Sequence, residues 1–167
     1  SRITFLGAPD AGVLVLGTVK YDRTTADDAR ALLDAVPSPA NGLTMCAGSY
    51  GARGDNDLVA MIREFHDRID FVHLRNIKRE DDGSFYESDH LDGDNDIVGI
   101  VNALLEEEQQ RHGLPPGRCR IPMRPYHGHS LGEEKTDQQL RAVNAYAGGM
   151  KGLAELRGFM HAIPAMR

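Results

Sequence analysis

The chain has 167 residues, 41% of them hydrophobic and 26% charged, a composition typical of a globular domain with a sizeable core. Its 19 basic and 25 acidic residues give a net charge of −6, which argues against a nucleic-acid-binding surface. No apolar run approaches the roughly 20 residues of a membrane helix, and SRITFLGAPD lacks the features of a signal peptide. The two cysteines, Cys46 and Cys119, are far apart and do not suggest a disulfide framework, so we expect a cytoplasmic protein.

The first part of the chain alternates between strand-like and helical patterns. The apolar runs 3–7 and 13–19 are typical of strands. Segment 24–36 has an N-cap threonine, early acids and apolar residues at helical spacing, so it is predicted to be a helix. The run 43–48 is a candidate buried strand, and segment 55–69 is a predicted helix capped by Asp55 or Asn56.

The same alternation continues in the second part. Segment 69–76 is a predicted strand, 94–110 a helix and 118–123 the next strand. Two polar stretches, 78–90 and 127–150, are predicted loops, and the first is long enough to suggest a function. A last helix is predicted within GLAELRGFMHAI. We therefore expect residues 1–167 to form a single α/β domain built from parallel βα units.

Ligands of parallel α/β folds bind at the carboxyl ends of the strands. Cys46, His73 and the stretch from Arg124 to His127 each follow a predicted strand, so they should meet at one rim of the sheet. Cys46 alone could be a small buried hydrophobic residue, and His73 alone could be a hydrogen-bonded histidine of no special role. Together, a thiolate and an imidazole suit a borderline divalent ion such as Zn, Fe or Mn.

Four stretches carry a family resemblance: SPANGLTMCAGSYGARGDNDLVAMIREF, HLRNIKREDDGSFYESDHLDGDNDIVGIV, IPMRPYHGH and MKGLAELRG. Together they cover most of residues 38–160, and in this order the chain resembles the mannonate dehydratase family. The resemblance implies a xylose-isomerase-like TIM barrel, of which this chain would carry the carboxy-terminal half as a partial barrel.

The resemblance also implies a lyase. Such an enzyme removes water from D-mannonate to give 2-keto-3-deoxy-D-gluconate, a step of sugar-acid (glucuronate) catabolism, with Mn(II) or Fe(II) as cofactor. By the family pattern, the metal ligands would be Cys46 and His73, and His127 would be a catalytic acid or base. Tyr146 is the nearest counterpart of a catalytic tyrosine that precedes the KGL motif. The remaining polar residues of IPMRPYHGH, Arg124 and His129, would bind the sugar acid or brace the site.

The chain departs from the family pattern at two places. The family has Arg-Pro-Asp-His-Gly-His with the aspartate as a metal ligand, whereas this chain has Tyr126 at that place. A family histidine in His-Pro-Asp-Asp-Pro corresponds to Ala8, which cannot bind a metal. These changes predict a weakened or lost metal site. They leave open a non-catalytic sugar-acid or metal-binding remnant, or a subunit of a larger assembly.

Two further expectations come from the barrel comparison. Another sugar isomerase or epimerase of the same barrel class is a third possible function, although HLRN and SFYE fit the dehydratase better. A half barrel would leave unpaired outer strands, so we expect either a homo-oligomer or a partner chain that supplies the rest of the barrel.

Overall fold

The computed structural model of the protein describes residues 24–114, 118–129 and 146–166, and helices alternate with strands along most of this part. The helices are α1 (Ala26–Ala35), α2 (Ala47–Gly51), α3 (Leu58–Glu64), α4 (Ile97–Gln110) and α5 (Tyr146–Ala165), with a short 3-10 helix at His66–Arg68. The strands are β1 (Leu43–Cys46), β2 (Ile69–Leu74), β3 (Asn76–Arg79), β4 (Phe85–Ser88) and β5 (Met123–Pro125). The strands predicted at 3–7 and 13–19 lie outside the described residues.

Side-chain caps begin helices α1, α3 and α4. Thr25 and Asp28 form a reciprocal capping box at the start of α1, as the sequence predicts. The expected cap of α3 at Asp55 or Asn56 is wrong, because the Asp57 carboxylate accepts the hydrogen bond from the Ala60 amide.

Helix α4 begins at Ile97 rather than near Asp94. The Asp96 side chain caps it by accepting from the Gly99 amide at 2.9 Å. The Asp94 carboxylate instead accepts from the backbone amide of Arg79 at 2.8 Å, so it joins the start of this helix to β3.

Strands β1, β2 and β5 form a parallel sheet in the order β1-β2-β5, which confirms the predicted α/β class with parallel strands. The last strand begins later than predicted, at Met123 rather than near residue 118. Its pairing starts where the Val72 amide donates to the Pro122 carbonyl at 2.9 Å, so Cys119 precedes the strand.

A bulge interrupts the pairing of β1 with β2. Leu43 pairs with Ile69 and the next residue, Thr44, pairs with Phe71, so Asp70 is an extra residue on β2. Side chains of a regular strand alternate between faces, yet Ile69 and Val72, three positions apart, are both fully buried. The bulge explains how both reach the core.

The predicted loop 78–90 is wrong in part, because it contains an antiparallel hairpin. Strand β3 pairs with β4, with Ile77 opposite Glu87, and Gly83 adopts a positive φ of 84° in the turn. Ile77 is fully buried and anchors the hairpin to the core. The polar residues around it hide the strand pattern in the sequence.

Helix α5 begins at Tyr146, so it includes the end of the predicted loop 127–150 and starts before GLAELRGFMHAI. Residues 130–145 lie outside the described part of the chain. Leu156 of this helix is buried in the core, and Gly152 packs against Tyr126. Among the described helices, none has both the length and the apolar character needed to cross a membrane.

Candidate functional site

The parallel register aligns three polar residues at the carboxyl ends of the strands. Cys46 pairs with His73, and His73 pairs with Arg124 on the other side. The Sγ atom of Cys46 lies 3.5 Å from Nδ1 of His73, and the Ser49 hydroxyl donates to the same sulfur at 3.3 Å. A single row across the sheet therefore holds a thiol, an imidazole and a guanidinium.

His73 is kept neutral by its surroundings. Burial, and then the positive charges of Arg124 and His127, lower the pKa of His73 from 6.5 to about 3. Its Nε2 atom is buried and has no hydrogen-bond partner among the described residues. The nitrogen that faces the Cys46 sulfur is Nδ1, and in a neutral ring this atom can carry the lone pair that binds a metal ion.

His127 follows β5 and contacts both His73 and the hairpin. Its ring meets the ring of His73 edge to face, with centroids 4.9 Å apart. One oxygen of Glu87 accepts from the backbone amide of His127 at 2.9 Å, and the other lies 2.6 Å from Nδ1. Cys46, His73 and His127 thus lie together at one rim, as the strand order predicts.

The described residues fit a metal site only in part. Cys46 and His73 offer a sulfur and a nitrogen whose 3.5 Å separation suits two neighbouring ligands of one ion. Within residues 24–114, 118–129 and 146–166, however, no group of three or more His, Cys, Asp and Glu side chains could hold a metal ion. Further ligands would have to be substrate or water oxygens, or residues outside this part.

Tyr126, at the place of an aspartate in the family pattern, is buried against a different set of groups. Its ring lies 4.5 Å from that of His90 and 5.5 Å from that of His129, and the Lys151 ammonium approaches its face. Burial, and then the neighbouring Asp89 carboxylate, raise the pKa of Tyr126 to about 12. A phenol that stays protonated packs the end of β5 onto α5 and is a poor metal ligand.

A charged network surrounds Tyr126. Lys151 contacts Asp89 at 3.0 Å and Glu155 at 2.8 Å, and Glu155 reaches Nδ1 of His90 at 2.7 Å. Burial opposes the charge of Lys151, but the hydrogen bonds to Glu155 and Asp89 outweigh it and raise the pKa of the ammonium. The network ties helix α5 to the segment after the hairpin.

The other predicted site residues lie at the edge of this arrangement. Tyr146 begins α5, and its side chain is 80% exposed. Gly148, two residues later, packs on the backbone of His129, so Tyr146 lies near the end of the IPMRPYHGH stretch. The half-exposed His129 ring has its Nε2 atom 3.8 Å from an oxygen of Asp89.

Sequence reasoning missed four residues of the site. The segment that contains Glu87, Asp89 and His90 was predicted only as a loop, with no role for these residues. Lys151 was also given no role. The available signal was the position of three of them in SFYESDH, inside a stretch that carries the resemblance. What periodicity could not reveal is that the hairpin folds back onto His127 and α5.

Comparisons with known proteins agree with this fold. Residues 10–167 match the family model described as D-mannonate dehydratase (UxuA), a range that begins after Ala8. The mannonate dehydratase of Saccharophagus degradans is 65% identical over 144 residues, which are 86% of this chain and 36% of that protein. The chain therefore spans little more than a third of that relative's length, less than the half expected from the sequence.

Solved structures of two proteins resemble the fold of this chain. The crystal structure of mannonate dehydratase from Streptococcus suis serotype 2 superposes with a TM-score of 0.69 at 27% identity, covering 83% of this chain and 37% of that one. A xylose isomerase domain protein from Planctomyces limnophilus has a TM-score of 0.53 at 14% identity, with 80% and 44% covered, and shows the fold alone. The predicted likeness to part of a xylose-isomerase-like TIM barrel is confirmed.

Proposed function

Since the chain belongs to the D-mannonate dehydratase family, we propose that it supplies the acid–base and metal-binding strand ends of a sugar-acid hydro-lyase. The substrate would be D-mannonate and the product 2-keto-3-deoxy-D-gluconate. One observation carries the proposal: parallel pairing brings Cys46, His73 and His127 together at the rim where α/β enzymes bind their ligands.

Cys46 and His73 would hold one side of a divalent ion, Mn(II) or Fe(II). Such an ion would polarise the carboxylate end of the sugar acid and so acidify the proton on C2. The low pKa of His73 supports this role, because the ring does not need to lose a proton before it binds.

The dehydration needs one group that accepts a proton and another that gives one. A base removes the proton from C2, the electron pair forms a C2–C3 double bond, and the C3 hydroxyl leaves as water after protonation. The resulting enol becomes the 2-keto acid. His127 and Tyr146 are the proposed proton-transfer pair. The Arg124 guanidinium is aligned with His73 and suits the substrate carboxylate. His129 would bind the sugar acid or brace the site.

The sheet itself supports a proposal about assembly. Within the described residues β1 and β5 are edge strands, each paired on one side only. Unpaired parallel edges favour association, so we propose that a second copy or a partner chain completes the barrel. Sedimentation of the whole chain at micromolar concentration should show a dimer or a larger species, and a well-folded monomer would contradict this.

The test of the proposed function is formation of a 2-keto acid from D-mannonate by the purified chain, with Mn(II) or Fe(II) supplied. The His127→Asn variant is the matched control, because it keeps a polar side chain but cannot serve as an acid or base of the same kind. We expect turnover in the wild type and a loss of at least about a hundredfold in the variant. Equal rates in both would contradict the role of His127.

A non-catalytic binding module is the second candidate. It is favoured by the lack, among the described residues, of any group of three metal-binding side chains. In that case calorimetry would detect Mn(II) or D-mannonate binding while no 2-keto acid forms under any metal condition. A protein that binds neither would contradict both candidates.

A further inference from the structure

Glu87 contacts His127 at two points from a different part of the fold. One carboxylate oxygen accepts from the His127 backbone amide at 2.9 Å, and the other lies 2.6 Å from Nδ1 of the ring. The side chains of Glu87 and His127 are 19% and 33% exposed, so solvent reaches this pair only in part. Forty positions separate the two residues, so the contact is a product of the tertiary fold.

The hairpin that carries Glu87 is held firmly. Ile77, its partner across the hairpin, is fully buried, and the neighbouring Asn76 side chain donates to the carbonyls of His90 and Asn95 at 2.7 and 3.1 Å. These contacts anchor β3 to the core and to the start of α4. The Glu87 carboxylate is therefore in place before any ligand binds.

The chemistry of the contact determines where the ring hydrogen lies. An ionised carboxylate only accepts hydrogen bonds, so Nδ1 of His127 must carry the hydrogen that points at Glu87. In the neutral ring, Nε2 is then the nitrogen with a lone pair. The His127 ring also meets the His73 ring edge to face, and this contact further restricts rotation of the His127 side chain.

We propose that Glu87 is a positioning residue, which holds His127 in the tautomer with hydrogen on Nδ1 and so presents Nε2 for proton transfer. The tautomer follows from the geometry of Glu87 and His127 alone. Its use in catalysis rests on the proposed function, which assigns proton transfer to His127. A purely structural role would need the two hydrogen bonds but would not depend on which nitrogen carries the hydrogen.

Glu87→Gln separates these roles. The amide oxygen must face the backbone amide of His127, because only an acceptor suits that donor. The amide nitrogen then takes the place of the second carboxylate oxygen and donates toward Nδ1. Both hydrogen bonds survive, yet Nδ1 must now accept, so the ring hydrogen moves to Nε2. The matched control is Glu80→Gln, an exposed glutamate that follows β3 in the same hairpin.

The measurement is nitrogen NMR of the ¹⁵N-histidine-labelled, metal-free whole chain at about pH 9, where an ordinary imidazole is neutral. The His127 signals are assigned by their absence in His127→Asn. We expect hydrogen on Nδ1 in the wild type and in Glu80→Gln, and on Nε2 in Glu87→Gln. A wild-type ring with hydrogen on Nε2, or a tautomer unchanged in Glu87→Gln, would overturn the proposal.

Kinetics provides the second readout. Because Glu87 would act through His127, kcat for mannonate dehydration should fall by about 10² to 10⁴ in Glu87→Gln while KM changes little. A tautomer that switches with kcat unchanged would overturn the positioning role. A tautomer that switches as expected in a chain without dehydratase activity would contradict the proposed function, while supporting the control of His127 by Glu87.

Discussion

The Nδ1 atom of His90 lies 2.7 Å from Oε2 of Glu155, and this contact joins the segment after the hairpin to helix α5. The other ring nitrogen, Nε2, lies 2.9 Å from the carbonyl of Leu74 at the end of β2. The fully buried imidazole therefore connects the sheet, the hairpin and the last helix.

Glu155→Ala should lower the free energy of unfolding by about 1–3 kcal/mol, because it leaves a buried ring nitrogen without a partner and weakens the hold on Lys151. The exposed Arg157 on the same helix provides the control, and Arg157→Ala should change stability by less than about 0.5 kcal/mol. Denaturant unfolding measures both. Equal effects of the two variants would mean that the contact with His90 contributes nothing.

Two glycines of α5 should respond in opposite ways to alanine. A Cβ at Gly148 would lie 2.2 Å from the backbone oxygen of His129, so Gly148→Ala must displace the helix and should cost roughly 1–3 kcal/mol. Gly158 has nothing within 4 Å of that position, and Gly158→Ala should stabilise the helix by up to about 1 kcal/mol. Thermal unfolding would contradict the packing of α5 on His129 if both variants were stabilised.

Acid should destabilise the metal-free protein through His73. The pKa of this ring is about 3 in the folded protein against 6.5 for an ordinary histidine, so the unfolded chain binds the proton more tightly. The contribution of His73 is complete above pH 6.5 and falls as the pH drops toward 3, by no more than about 1 kcal/mol per pH unit because the ring is not fully buried. Unfolding curves between pH 7 and 4, with a chelator present, should have a shallower pH dependence in His73→Gln, and parallel curves would contradict the assignment.

Cys46 and Cys119 offer a matched pair for the proposed metal site. Cys46→Ser should lower the affinity for Co(II), used as a spectroscopic substitute, by at least about tenfold and abolish the sulfur-to-metal absorption band. Cys119, which precedes β5 and is a free thiol, should tolerate serine without any change in the band. A band that survives Cys46→Ser but not Cys119→Ser would show that the metal binds elsewhere.

The position of the candidate site could be predicted from the sequence, because each of its central residues ends an apolar run. Cys46 and His73 follow such runs, and parallel strands bring their carboxyl ends to one rim. The residues that hold His127 could not be found in this way. Glu87 reaches His127 only because the hairpin folds over the rim, and a half-exposed strand of four residues within a mostly polar stretch resembles a loop.

The start of the last strand was also predicted wrongly from the sequence, at residue 118 rather than Met123. Ile121 is buried and extends the apolar run, but ladder pairing depends on backbone hydrogen bonds rather than on hydrophobicity. These begin only at the carbonyl of Pro122. The existence of the strand was correctly predicted and its start was not.

The bulge at Asp70 lets the rim tolerate the loss of one residue from the chain. Asp70 is the extra residue that separates Ile69 from Phe71 in the pairing with β1. If this residue were deleted, Ile69 and Val72 would be two positions apart, as on a regular strand, so Val72 would stay in the core and His73 would stay at the rim opposite Cys46. The loss of this single codon would therefore remove the bend of the strand and leave its two faces unexchanged.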